Sequence, residues 1–313
     1  MKQNNYLLNF LKVTFFALLL IATSPVRAEI KVVTTIKPLH SLIANVMDGV
    51  GEPSLIIEGS TSPHSFTLKP SHAKLLEEAD LIFWVGEGIE TFMEKPLESI
   101  VKNAEVVEFM EVDSIEKLKF REESIYGDHD DHDDHDDHEG HAHGEHDPHA
   151  WLSPGIAKVW LNVIASKLSE KDPSNASTYF SNASSASKDL DALSDEINDI
   201  LDPIRDEKFV VFHDAYQYFE KHFNISASGA ISLGDASDPS PARVKEIKDR
   251  VENEDIHCVL AEPQYKVGLV KAVIEGTHAN MAVIDPLGVG LEAGPTLYDK
   301  LIRNLATNLS KCF

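Results

Sequence analysis

Short runs of β-branched and aromatic residues alternate along the chain with stretches whose apolar positions recur every three or four residues. Lys31–Thr35, Ser54–Ile57, Leu81–Val85 and Glu105–Phe109 read as strands. Between them Leu39–Met47 and Ser71–Ala79 have helical spacing, with Pro70-Ser71 marking a helix start. The second half repeats the plan. Its strands are Phe209–Phe212, Ile225–Ala230, Val259–Glu262 and Ala282–Asp285, and its helices Ala215–His222, Pro241–Asn253, Lys266–Glu275 and Thr296–Lys311. Strand, helix, strand in repetition predicts an α/β protein of two lobes, each a mainly parallel sheet with crossover helices.

One long helical stretch joins the halves. Asp172 caps it, Pro173 takes the first helical position, and no Gly or Pro interrupts until Pro203. Ala186, Leu190, Leu193, Ile197 and Leu201 mark a single buried face. About 30 helical residues would span ~45 Å, which is a strut and not a tether. The organisation predicted is therefore a leader over 1–28, a first lobe over 29–171, the strut over 172–203 and a second lobe over 204–313. Two lobes on a stiff strut leave a cleft between them, where a ligand can bind, and lobe tilting should be small.

The start of the chain is an export signal by pattern. Lys2 and Lys12 precede an apolar run from Val13 to Ala22, and Val26-Arg27-Ala28 puts small residues at −3 and −1 of a cut after Ala28. No later stretch is long and apolar enough to cross a bilayer. The expected product is soluble and periplasmic. In an exported chain the two cysteines, Cys258 and Cys312, read as a disulfide that ties the last helix to a strand. The formal charge is −24, and phosphate-binding proteins need clustered Lys and Arg, so nucleic acid is excluded as a partner.

Acidity together with 15 histidines points to cations. From Asp128 to Asp147 the chain is almost entirely Asp, Glu and His, with His129, His132, His135, His138, His141, His143 and His146 among ten carboxylates. Having no apolar side chain to bury, the 127–147 segment is expected to be a disordered loop that collects Zn²⁺, Cu²⁺ or Ni²⁺ with modest affinity. Three further histidines lie where strands or helices meet loops: His64 after Pro63, His149 in Asp147-Pro148-His149, and His213 at the end of a strand. A neighbouring proline or strand end fixes backbone direction, so these three could converge on the cleft. Asp285, ending the last strand of the second lobe, is a fourth candidate, because open α/β sheets bind ligands at strand carboxyl ends. His40, His72, His222, His257 and His278 sit in ordinary contexts and read as structural or solvated, while Glu262 ends a strand near the cleft and is a possible near-ligand.

Taken in order, the segments Pro63–Ser71 (PHSFTLKPS), Asp147–Pro154 (DPHAWLSP), Phe212–Phe219 (FHDAYQYF), Ala261–Tyr265 (AEPQY) and Ile284–Gly288 (IDPLG) resemble the zinc-specific solute-binding proteins of bacterial ABC importers, the cluster A-I metal-binding family. The resemblance covers essentially the whole chain after the leader. It implies two lobes, each a four-stranded parallel sheet, joined by one rigid helix, and it carries metal-ligand roles onto His64, His149 and His213. The fourth position varies in the family between carboxylate and water. Some zinc-binding members use a carboxylate just before the first histidine, where this chain has Pro63, which leaves Asp285 or water, with Asp285 favoured. Three imidazoles and one oxygen suit tetrahedral Zn²⁺, whereas Mn²⁺ prefers more oxygen donors. The implied function is capture of Zn²⁺ by a monomer and its delivery to a membrane permease.

Two other classes share the pattern. A zinc hydrolase would use the same three histidines around a bound water, with Asp214 as the only evident base, but neither an HExxH helix nor a GxSxG elbow is present. A metal-dependent adhesin could use the same two-lobed scaffold. The expectation is a carrier and not an enzyme.

Overall fold

In the computed structural model, the described residues are 30–121, 146–232 and 239–313. The leader and most of the histidine-rich segment fall outside them. The first half builds β1 (Val32–Thr34), α1 (Lys37–Met47), β2 (Ser54–Leu55), α2 (Pro70–Glu78), β3 (Leu81–Trp84), α3 (Glu94–Ser99) and β4 (Glu105–Glu108). Helices α4 (Pro154–Lys171) and α5 (Ala176–Leu201) follow. The second half is β5 (Phe209–His213), α6 (Gln217–Phe223), β6 (Gly229–Ser232), α7 (Pro241–Asn253), β7 (Cys258–Ala261), α8 (Val267–Ile274), β8 (Asn280–Val283) and α9 (Leu297–Ser310).

Each half forms one four-stranded sheet, ordered β2-β1-β3-β4 and β6-β5-β7-β8, and every pairing is parallel. The central strands β1, β3, β5 and β7 are buried along their whole length, as continuous apolar runs covered by helices on both faces must be. The predicted α/β class and the two sheets are present. One strand is displaced: Ile225–Ala230 was expected, and β6 begins only at Gly229. Asn224 adopts a left-handed conformation that ends α6, and the amides of Ile225 and Ala227 bond to the Glu220 carbonyl and carboxylate, so these residues finish a helix before the strand starts.

The strut also differs at its start. Pro173–Asn175 form a 3₁₀ turn, and the regular helix covers 26 residues, about 39 Å at 1.5 Å each. The Asp172 carboxylate accepts bonds from Ser174 Oγ, Asn175 Nδ2 and the Tyr179 hydroxyl at 2.6, 2.6 and 3.0 Å. Its inward face is Tyr179, Ala183, Ala186, Leu190, Leu193, Ile197 and Leu201, the stripe the sequence spacing predicted extended toward the N-terminus. That face packs on α1, α4 and α9. As a result one hydrophobic cluster runs without a break from the first sheet through these helices to the inner face of the second. A smaller cluster of Val210, Phe212, Ile231, Ile247, Val259 and Val273 fills the outer face of the second sheet.

The last helix ties the halves together. The Tyr298 hydroxyl donates to the Trp151 carbonyl at 2.7 Å, Ser41 Oγ donates to the Pro295 carbonyl at 2.9 Å, and Cys312 is disulfide-bonded to Cys258 of β7. Among the described residues no helix is long and apolar enough to cross a membrane.

Candidate metal centre

The three dispersed histidines meet. One ring nitrogen from each of His64, His149 and His213 lies within 4.8 Å of the other two, and this is the only such cluster of potential metal ligands among the described residues. Each is aimed by a short, stiff piece of chain. His64 sits in the 3₁₀ turn Pro63–Ser65, whose entry is capped by Ser62 Oγ accepting from the His64 amide at 3.3 Å. His149 precedes the 3₁₀ turn Ala150–Leu152, which runs into the Ser153-capped start of α4. His213 is the last residue of β5, at the carboxyl edge of the second sheet. Thus two imidazoles come from the first half and one from the second.

Behind two of the rings stand buried carboxylates. His149 Nδ1 bonds to Asp147 Oδ1 at 2.7 Å, and His213 Nδ1 bonds to Glu262 Oε1 at 2.8 Å. A carboxylate can only accept, so in both rings Nδ1 carries the proton and Nε2 keeps its lone pair for an ion. Asp147 is wholly buried and Glu262 is 3% exposed. Two negative charges in so dry a place are costly unless a cation compensates them, and a dication held by three neutral imidazoles would balance both.

Asp147 is the residue that composition concealed. The expected 127–147 loop ends on it, yet it is a framework residue. Its Oδ1 also accepts the His149 amide at 2.9 Å, its Oδ2 accepts Gln217 Nε2 at 2.9 Å, and its carbonyl accepts the Tyr218 hydroxyl at 2.9 Å. His146, expected among the loop ligands, forms an antiparallel bridge with Lys119. His129, His132, His135, His138, His141 and His143 lie outside the described residues. The stem before the tract is fastened to α6 as Asp147 is after it: the Leu118 amide donates to the Tyr218 hydroxyl at 2.9 Å and Gln217 Nε2 donates to the Lys119 carbonyl at 3.3 Å. Arg121 bridges Asp214 at 2.8 Å and Glu220 at 2.7 Å. Asp214 is therefore an ion-pair partner of Arg121.

Asp285 does not join the histidine cluster. Its Oδ1 accepts the amides of Leu287 and Gly288 at 3.1 and 3.0 Å and Gln264 Nε2 at 2.9 Å, and its Oδ2 accepts the Val289 amide. Gly288 has φ +70°, a conformation open to glycine, and a side chain there would meet Leu291 and Leu297 at 3.4 Å. The carboxylate thus shapes the loop after β8. From the other half Lys37 Nζ donates to the carbonyls of Gly288, Val289 and Leu291 at 3.2, 3.1 and 2.9 Å, and Trp151 Nε1 donates to the Pro286 carbonyl at 2.8 Å. Pro286 and Leu287 so fixed wall the pocket around the histidines, together with Ile89, Trp151 and Tyr265. Glu262, the possible near-ligand, serves as the partner of the His213 ring.

Among the remaining histidines, His222 lies between Ser153 Oγ and Ser194 Oγ, both at 3.3 Å, and burial lowers its pKa.

Two parallel sheets bridged by a long helix, with a cluster of imidazoles supplied by both halves, define a metal-ion solute-binding protein. Comparison with known proteins agrees. Residues 32–312 match the family model "ZnuA: Zinc-uptake complex component A periplasmic". The chain is 43% identical over 303 residues to the "High-affinity zinc uptake system protein ZnuA" of Brucella abortus, covering 90% of this chain and 91% of that one. It is 37% identical over 311 residues to the protein of the same name from Paracoccus denitrificans, covering 93% and 94%. The chain belongs to the ZnuA family. In fold it superposes on a crystal structure of ZnuA with a TM-score of 0.74 at 22% identity, covering 90% of this chain and 98% of that one. It superposes equally on the laminin-binding protein Lmb of Streptococcus agalactiae, with a TM-score of 0.73 at 22% identity over 90% and 99%.

Proposed function

We propose that this protein captures Zn²⁺ in the periplasm on His64, His149 and His213 and delivers it to the membrane permease of an ABC importer. The observation that carries this reading is the convergence of three ring nitrogens within 4.8 Å, drawn from both halves of the chain. Three nitrogens with an oxygen at the fourth position suit a tetrahedral d¹⁰ ion, and the carboxylates behind His149 and His213 raise the basicity of the rings they hold. The protein works as a monomer, exported by a leader cut after Ala28 and stapled by Cys258–Cys312. The histidines of the 128–145 tract collect further cations at lower affinity.

The test is zinc titration against a competing chelator in a variant lacking residues 128–145, a deletion that stops short of Asp147 and so spares the partner of His149. One tight site should remain, and His64→Ala or His213→Ala should each weaken it by at least 100-fold. Loss of the tight site on removing the tract, or wild-type affinity in either alanine variant, would refute the assignment.

A further inference from the structure

A guanidinium from the first half is seated against the turn that carries His213. Strand β5 ends on His213 and α6 begins at Gln217, so residues 214–216 make the turn, with the Ala215 amide bonded to the His213 carbonyl at 2.9 Å. Asp214 opens that turn and Glu220 lies three residues into α6. Their carboxylates belong to residues only 5% and 2% exposed. Arg121 spans the two: Nη1 donates to Asp214 Oδ1 at 2.8 Å, and Nη1 and Nη2 reach Glu220 Oε1 and Oε2 at 3.4 and 2.7 Å. Glu220 Oε2 also accepts the Ala227 amide at 3.1 Å. Two acids so near and so dry would repel each other, and a planar fork of donors is the group that fits between them. Burial pushes the Glu220 carboxyl above its ordinary range, and Arg121 draws it down.

The same stem holds the other half of the centre. Leu118, three residues before Arg121, accepts the Asp147 amide on its carbonyl at 2.8 Å, and Lys119 forms the antiparallel bridge with His146. Asp147 in turn holds the His149 ring at 2.7 Å. One short length of chain, 118–121, is therefore fastened at one end to the partner of His149 and at the other to the turn behind His213. Those two rings come from different halves and lie 5.3 Å apart, centroid to centroid. Any slack between them changes the angle at which both lone pairs meet an ion.

We propose that Arg121 is a positioning residue of the metal centre: by bracing Asp214 and Glu220 it fixes His213 relative to His149 and so sets how long the ion stays bound. Arg121 touches neither ring, and its effect passes through the turn after His213. Without the fork, two buried carboxylates face each other uncompensated, and the turn is no longer held in one place. Both rings remain available to an arriving ion, so the change falls mainly on dissociation. This inference rests on the reading of His149 and His213 as zinc ligands.

The experiment measures Zn²⁺ dissociation into excess chelator, equilibrium affinity by chelator competition and the visible spectrum of the Co²⁺ form. It uses the full chain, Arg121→Met, Arg121→Lys, Glu116→Gln, His213→Ala and the triple variant Arg121→Met/Asp214→Asn/Glu220→Gln. Arg121→Met should lose about tenfold in affinity, most of it as faster dissociation, with a shifted Co²⁺ spectrum. Arg121→Lys keeps the charge and loses the fork, so it should fold like the wild type and fall between the two in its rate of release. The triple variant removes both buried charges with the cation, so its stability should recover while its zinc release stays fast. It keeps the test open should Arg121→Met fail to fold. Glu116→Gln removes a surface ion pair to Lys221 on the same helix and should leave all three readouts unchanged. Dissociation within twofold of the wild type in folded Arg121→Met, or in the triple variant with its stability recovered, would overturn the proposal, because Arg121 would then act on folding alone. An equal loss in Glu116→Gln would overturn it too. If His213→Ala bound zinc like the wild type, the histidine assignment itself would fail, and the two failures are thereby distinguished.

Discussion

Asp147 offers a graded test of how much a buried carboxylate contributes to the centre. Asp147→Ala removes the acceptor of three donors: the His149 amide at 2.9 Å, the His149 ring at 2.7 Å and Gln217 Nε2 at 2.9 Å. Each buried donor left unpaired costs about 1–3 kcal/mol. Gln217 retains one alternative, the Lys119 carbonyl at 3.3 Å, so two donors are left and the expected loss of folding stability is about 2–6 kcal/mol. The ring loses its fixed tautomer and orientation, and zinc affinity should fall about 100-fold, or ~2.7 kcal/mol. Asp147→Asn separates shape from charge. An asparagine oxygen still accepts from the His149 amide and ring, and its amide nitrogen can face a rotated Gln217, so only the negative charge is lost. That variant should fold nearly as well as the wild type and lose about tenfold in affinity. Chelator competition at pH 7.5 measures the affinities and urea unfolding of the metal-free forms measures the stabilities. Wild-type affinity in Asp147→Ala would refute the reasoning. So would equal losses in the two variants, which would show that the charge and not the geometry does the orienting.

Two further outcomes concern the scaffold. Glu90 is fully buried with its Oε2 accepting the amides of Val85 and Gly86 at 2.7 and 3.2 Å, and burial raises its pKa from 4.5 to about 7. A raised carboxyl pKa contributes stability that is full below about 4.5 and is lost as pH rises through about 7. Comparing urea unfolding at pH 5 and pH 8, the wild type should therefore lose up to about 3 kcal/mol relative to Glu90→Gln, and parallel pH profiles would contradict this. The Cys258–Cys312 bond closes a separation of 54 residues, so the double alanine variant should lose up to roughly 4 kcal/mol of stability while keeping its zinc affinity; a large affinity loss would place the staple in the site.

The sheets were legible because buried parallel strands must be continuous apolar runs, and Val32–Thr34, Leu81–Trp84 and Phe209–His213 are. Helix α4 is not among the elements the spacing predicts, although it carries an equally plain start, Ser153-Pro154 with the serine hydroxyl accepting from the Ile156 amide. The convergence of His64, His149 and His213 was legible for a related reason: a proline or a strand end beside each limits where the ring can go. The groups that hold those rings were not. Asp147 is one acid at the end of a tract of acids, and nothing in its type separates it from Asp137; only the fold shows that it meets a ring, an amide and a glutamine.

Asp285 is a different case. A strand predicted to end at Asp285 makes it a ligand by position, but β8 ends at Val283, and the carboxylate beyond it accepts from the amides of the loop that follows and from Gln264. Sequence position says which side chains can reach a site. What they can do there depends on bonds already made, and in this protein the Asp285 carboxylate bonds to the loop that walls the pocket beside the three histidines.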